Sequence, residues 1–323
     1  MPVTKNVNFR NYILQFSGDL QTIIPALFRK VEGVNYKRER IFTPDEDFLD
    51  LDWSFADRRT SSAVIISHGL EGDSRRPYVL GMARTLNLSG YDVLAWNFRG
   101  CSGELNKKHK FYHSGETHDL SFVIDQVVAR GYKNIFLVGF SVGGNKTLKY
   151  LGEKRNYPSQ LKAAAAFSVP CHLESVAFKL SAFRGKIYLN RFIRSLKKKL
   201  TDKALIMPDL IDVSRLNSVK DFLEFDNFFT APVNGYKDAF HYWTENSSLY
   251  FLHNISIPTL LVNARNDPFL SPECFPEKEA AGNPDLFFEI PETGGHCGFY
   301  DGSDIYWSER RAVDFFKSME SGV

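Results

Sequence analysis

Asn134-Ile-Phe-Leu-Val-Gly-Phe-Ser-Val-Gly-Gly-Asn145 is the stretch on which the fold turns. Its first seven residues, Asn134–Phe140, form an unbroken apolar run of strand length, and Val142–Gly152 carries a helical pattern. The junction reads Gly139-Phe140-Ser141-Val142-Gly143, which matches G-x-S-x-G. By itself that pattern arises by chance. Placed where a buried strand meets a helix, it predicts a nucleophile elbow. Glycines two residues to either side leave room for a tight turn that lifts the Ser141 hydroxyl above the sheet. The helix that follows directs its unpaired N–H groups at that hydroxyl.

Working outward, apolar runs alternate with helical patterns, the mark of a mainly parallel sheet covered on both faces. Eight strands are expected: Tyr36–Phe42, Asp47–Trp53, Ser61–Ser67, Tyr91–Phe98, Asn134–Phe140, Ala163–Val169, Pro258–Ala264 and Asp285–Ile290. The first two, parted by Pro44-Asp45-Glu46, read as an antiparallel pair. Helices are expected over Pro77–Ser89, Thr117–Arg130, Val142–Gly152, near Pro272–Ala281 and over Asp304–Lys317. Between the sixth and seventh strands the rhythm breaks. Residues 171–253 hold little strand character and much helical and aromatic content, so they are expected to fold as a helical cap over the sheet's carboxyl edge, where open α/β sheets carry their sites. The whole chain then reads as one domain, with residues 1–35 packing on its core.

Composition narrows the function classes. With 43% apolar and 24% charged residues among 323, the chain is that of a globular protein. A net charge of +2 gives no reason to expect nucleic-acid binding. Cys101, Cys171, Cys274 and Cys297 form no C-x-x-C pair, so neither a zinc ribbon nor a disulfide framework is indicated, and free thiols in a reducing cytoplasm are expected. Met1–Arg10 shows no signal-peptide pattern, and no stretch reaches the ~20 apolar residues of a membrane span. No cofactor or metal is called for. His109, His113, His118 and Asp119 match no standard ligand spacing.

A serine hydroxyl needs a base within hydrogen-bond reach. His296, in Gly294-Gly295-His296-Cys297-Gly298, follows the last strand and fits that role. Asp267, after the strand ending near Asn263, would orient the imidazole and stabilise its cation. Pro268 favours an extended backbone at Asp267. The backbone N–H groups of Val142 and of Leu70, in His68-Gly69-Leu70-Glu71-Gly72, would hold an oxyanion. His68 is expected to support its turn. Phe222, Phe225, Phe228, Phe229, Tyr236, Phe240 and Trp243 would pack the cap onto the sheet or line an acyl pocket. Arg191–Leu200 gives a basic helical face, read as a solvated cap helix, with contact to anionic lipid as the alternative.

The runs SHGLEGDSRRPYVLGMA, NFRGCSGE, YHSGETHDL, GFSVGGN, FDNFFTAPVNGYKDAFHYW, NARNDPF and GGHCGF, with LQTIIPALFRK near the start, resemble the YheT-like branch of the α/β-hydrolases. Abhydrolase-domain esterases and lipases are the eukaryotic relatives of that branch. The resemblance implies the α/β-hydrolase fold, a Ser141–Asp267–His296 triad, hydrolysis of a small-molecule carboxylic ester and no cofactor. The chain departs from the family pattern at His118, where an acid is usual, and at Asp19, where a histidine is usual. Thioester, amide and acyl-transfer chemistry would use the same triad, and a non-catalytic binding module on the scaffold is a further alternative. Oligomeric state is left open.

Overall fold

The computed structural model describes residues 3–320 except 6, 8, 10–13 and 15. The remaining positions of the Met1–Arg10 stretch and of the 1–35 segment lie outside the described residues.

Among the described residues nine strands form one sheet: β1 (Val3–Thr4), β2 (Lys37–Phe42), β3 (Phe48–Ser54), β4 (Ser62–Ser67), β5 (Asp92–Trp96), β6 (Asn134–Phe140), β7 (Leu161–Phe167), β8 (Thr259–Val262) and β9 (Leu286–Glu289). Their spatial order is β1-β9-β8-β7-β6-β4-β5-β3-β2. The β2/β3 and β3/β5 pairs are antiparallel and the others parallel. The expectation of eight strands is thus corrected to nine. The extra strand is two residues that pair with the edge of β9, too short to print a period on the sequence.

Inward of the two edge strands, β3–β9 are buried because both faces are covered. On one side lie α2 (Pro77–Leu88) and α11 (Trp307–Glu320), whose Met82, Leu86, Val313 and Phe316 pack on Val64, Ile66, Val138 and Ala165. On the other lie α3 (His118–Ala129) and α4 (Val142–Gly152), with Leu120, Ile124, Leu148 and Leu151 against Ile65, Leu137 and Ala164. Ala163–Ala166 of β7 is small on both faces, which lets helices approach the sheet's middle closely. The strand ends two residues before the expected Val169 because Ser168 turns the chain at φ 54°. α1 (Gly18–Phe28) packs near α2, and α10 (Glu277–Ala281) near β9. The last helix starts three residues later than expected. Asp301–Ile305 is held as a loop by Arg310, which bonds Asp301 and the Ile305 carbonyl.

Between β7 and β8 the chain leaves the sheet through α5 (Leu173–Ser181), α6 (Lys186–Ile206), α7 (Phe222–Phe225), a π turn at Asp226–Thr230, α8 (Ala231–Asn234) and α9 (Ala239–Asn246). These helices make an apolar cluster of their own around Leu189, Ile193, Leu200, Phe225 and Phe229, joined by Phe269 and Leu270 from the loop after β8. The basic run 191–200 is divided by its helix: Arg191 and Arg194 face solvent, while Ile193 and Leu200 are buried and Lys199 turns inward.

Candidate active site

Strand order reverses around β4, which lies between β5 and β6, and a crevice opens beyond the carboxyl ends of strands at such a point. Ser141 stands there, between β6 and α4, with φ 54° and ψ −122°. That conformation costs a residue with a side chain about 1–3 kcal/mol. Its surroundings hold it. The Ser141 N–H donates to the Phe167 carbonyl at 2.9 Å, and the Ser141 carbonyl accepts from Asn145 N–H at 3.0 Å. Only hydrogens fit at the flanking glycines. A Cβ on Gly139 would lie 2.6 Å from the Gly143 carbonyl oxygen, and one on Gly143 would lie 2.3 Å from that of Ser67.

The other two side chains singled out in the sequence converge on this hydroxyl. His296 Nε2 lies 2.9 Å from Ser141 Oγ, and its Nδ1 lies 2.8 Å from Asp267 Oδ2. Asp267 is buried, so its carboxylate fixes the tautomer: Nδ1–H donates to it and Nε2 is left as the acceptor. The second carboxylate oxygen accepts from Phe269 N–H at 2.8 Å. The Phe269 ring stacks on the imidazole with centroids 4.0 Å apart. Burial works against the imidazolium, yet the Asp267 carboxylate and the adjoining Cys297 outweigh it and hold His296 above its ordinary value. Such an imidazole is disposed to take a proton from the serine.

The loop that carries His296 hangs on side chains. Four consecutive amides, from Gly294 to Cys297, donate in turn to Gln21 Oε1, Asn266 Oδ1, Thr22 Oγ1 and Ser168 Oγ, at 2.8–3.0 Å. Two of the four acceptors belong to α1. Sequence reasoning missed all four, since a Gln and a Thr on an amphipathic helix look like surface residues. The buried state of Gln21 and Thr22 has no counterpart in the sequence pattern.

Leu70 and Val142 line the same cavity as Ser141 and His296. Neither backbone amide donates to another group among the described residues. The turn before Leu70 is held by His68, which is buried and neutral, its pKa pushed down to about 3 by burial and then by Lys146 nearby. Its Nδ1–H donates to the Gly69 carbonyl and its Nε2 accepts from Phe98 N–H. After Leu70 comes Glu71, at φ 52°. Its carboxylate accepts from Lys199 Nζ (2.6 Å), Ser195 Oγ (2.7 Å) and Tyr112 Oη (2.8 Å). Helix α6 is thereby latched to the loop that holds the Leu70 amide. The signal was present only as an unassigned Glu between two glycines.

Two cavities meet at Ser141. An inner chamber of about 550 Å³ runs beneath α5–α9, walled by Val176, Leu180, Leu196, Phe225 and Phe229. Phe222, Phe228 and Trp243 also line it, whereas Tyr236 and Phe240 do not. Tyr236 packs on His113, and Phe240 on Trp243 at the surface. An outer channel of about 340 Å³ passes between α1 and α6, walled by Leu27, Arg76, Tyr78, Ile187 and Arg191. The histidines weighed as ligands go to separate places. His118 bonds Glu116, Asp119 pairs with Arg99, and His109 and His113 border the chamber.

A family model described as the alpha/beta hydrolase fold matches residues 62–303. The chain belongs to the α/β-hydrolases. It is 33% identical over 92% of its length to YheT of Escherichia coli (strain K12), named as an esterase, and covers 89% of that protein. The phospholipase ABHD3 of Mus musculus is 31% identical over 87% of this chain and 71% of its own. Among solved structures, the Pyrococcus furiosus esterase Pf2001 shares the fold, with TM-score 0.61 and 20% identity over 90% of this chain and 96% of that one. The hydrolase segment 62–303 contains Ser141, Asp267 and His296 but not α1, so two of the four supports of the histidine loop come from outside it.

Proposed function

We propose that this α/β-hydrolase cleaves small-molecule carboxylic esters through an acyl-enzyme. The observation that carries the reading is the continuous hydrogen-bonded line from Ser141 Oγ through His296 to Asp267, in a crevice beside two unengaged amides. The esterase, phospholipase and lipase names of its relatives support the same class. Ser141 Oγ attacks the ester carbonyl carbon while its proton passes to His296 Nε2, and Asp267 stabilises the imidazolium. The oxygen that becomes negative lies between the Leu70 and Val142 N–H groups. Collapse expels the alcohol, which takes the proton from His296. A water then repeats the sequence on the acyl-serine.

The inner chamber receives the acyl chain and the outer channel the alcohol side. Residues 171–253 act as a cap that selects the acyl group, within a single catalytic domain to which α1 is packed. The four cysteines are free thiols, which supports a reducing compartment such as the cytoplasm. Among the described residues no helix is long and apolar enough to cross a membrane.

Ser141→Ala should lower turnover of p-nitrophenyl butyrate by on the order of 10⁴–10⁶-fold and abolish labelling by a fluorophosphonate, with thermal unfolding unchanged. Turnover retained in that variant would end the proposal. Because the base works only when neutral, and Asp267 holds it above its ordinary value, kcat/KM should climb with pH to a plateau with its midpoint above 6.5.

A further inference from the structure

Large apolar side chains on the surface of this molecule are not scattered evenly. Leu27 and Phe28 at the end of α1 are 61% and 72% exposed; Phe183, in the turn before α6, and Ile187, in its first turn, are 90% and 75% exposed. The two helices are neighbours. Tyr188 Oη on α6 donates to Asp19 on α1 at 2.7 Å, and Leu27 and Ile187 both wall the outer channel. Two residues that line a cavity and also face solvent define its mouth. The channel therefore opens to the outside between Leu27 and Ile187 and leads inward to Ser141 and His296, with exposed Phe28 next to the first in the chain and exposed Phe183 four residues before the second.

Charge surrounds that mouth on one side. Arg184, Lys186, Arg191 and Arg194 are all exposed, and none has an ion-pair partner among the described residues. The first turn of α6 carries no acid. The nearest acids on these helices are engaged elsewhere, Asp19 by Tyr188 and Asp202 by Lys198. Cations set beside apolar side chains match a surface whose headgroups are anionic and whose interior is hydrocarbon. A folded protein seated on the same rim would plug the channel. A lipid surface would extend it, since acyl chains can enter where Leu27 and Ile187 part.

We propose that the apolar rim of α1 and α6, with the basic face of α6 beside it, docks on an anionic lipid surface and opens the outer channel into that surface. The docking stands apart from the chemistry at Ser141, so the two can fail separately.

The test is co-sedimentation of the full chain, in its Ser141→Ala form, with vesicles of three parts phosphatidylcholine to one part phosphatidylglycerol, against phosphatidylcholine alone, at physiological salt. Binding to the anionic vesicles only is expected. Phe28→Ser with Phe183→Ser should lower the partition coefficient by about tenfold, as should Arg184→Glu with Arg194→Glu, the latter also removing most of the salt dependence. None of these four residues lines either cavity. In the active background both pairs should therefore keep wild-type turnover of p-nitrophenyl acetate, which shows that they are folded. Absence of sedimentation with anionic vesicles would overturn the proposal while leaving the esterase reading untouched. Binding unaltered in both pairs would overturn it as well. So would a dimer on gel filtration that Phe28→Ser with Phe183→Ser dissolves, which would assign the rim to a second copy of the chain.

Discussion

The inner chamber and the outer channel share Ser141 and His296 but are built from different materials. The chamber is walled by aliphatic and phenyl side chains from the helices between β7 and β8, with Asp226 a buried carboxyl among them, raised to about 6 by burial and bonded by Trp243 Nε1. The channel is walled by arginines and tyrosines as well as apolar groups, and its rim is open to water. The sheet supplies one fixed line of chemistry, while the segments outside its strand–helix rhythm decide what each side will admit. If the proposed assignment of acyl and alcohol sides holds, selectivity should change on one side without disturbing the other.

The strongest way to break that division is to fill the chamber. Val176 lies on its wall with its side chain nearly buried. Val176→Trp should cut kcat/KM for p-nitrophenyl octanoate by about 30-fold or more while changing that for the acetate by less than about threefold. Equal losses on both esters would show that acyl chains do not lie there. A smaller effect is expected from the channel side, where α1 supports the histidine loop. Thr22→Val removes the acceptor for His296 N–H, and a hydrogen bond of this kind contributes about 1 kcal/mol. kcat should fall roughly fivefold with KM little changed, and a matching rise in KM would instead point to a binding role. The smallest effect on turnover belongs to Lys146, below the site on α4. Its Nζ is buried without a hydrogen-bond partner, against the rings of Phe98 and Tyr112. Burial pulls its pKa down to about 8, against the residual pull of Glu116 and Asp119. With the folded value below the unfolded one, the folded state binds fewer protons between pH ~8 and ~10.5, so this group makes stability rise with pH across that window. Lys146→Met should raise the unfolding temperature at pH 7, by about 1–3 kcal/mol of stability, and flatten that slope. A lower unfolding temperature would mean that the aromatic cage stabilises the cation more than burial penalises it.

Much of this architecture was legible because it rests on period and punctuation. Asn134–Phe140 and Val142–Gly152 were readable to the residue, since a fully buried strand and a glycine-flanked turn leave little freedom. The positions of Ser141, Asp267 and His296, which the fold brings within hydrogen-bond distance, stood out because each follows a strand, where a polar residue is not needed for packing. What was hidden depends on contacts between distant segments. Nothing near Glu71 announces Lys199, 128 residues on. Nothing near Gln21 announces Gly294. The Val3–Thr4 strand was invisible for a related reason, because its identity lies in the β9 edge it joins. The basic run 191–200 read as a solvated helix, whereas the helix turns Lys199 inward to an acid supplied by another loop.

The rack beneath the histidine loop has a consequence for how this catalyst comes into being. Thr22 and His296 stand 274 residues apart in the chain, so the loop is braced only once two distant segments have come together. A protein split in the loop between α6 and α7 should thus regain ester turnover as its two pieces reassociate and the contacts of Gln21 and Thr22 re-form.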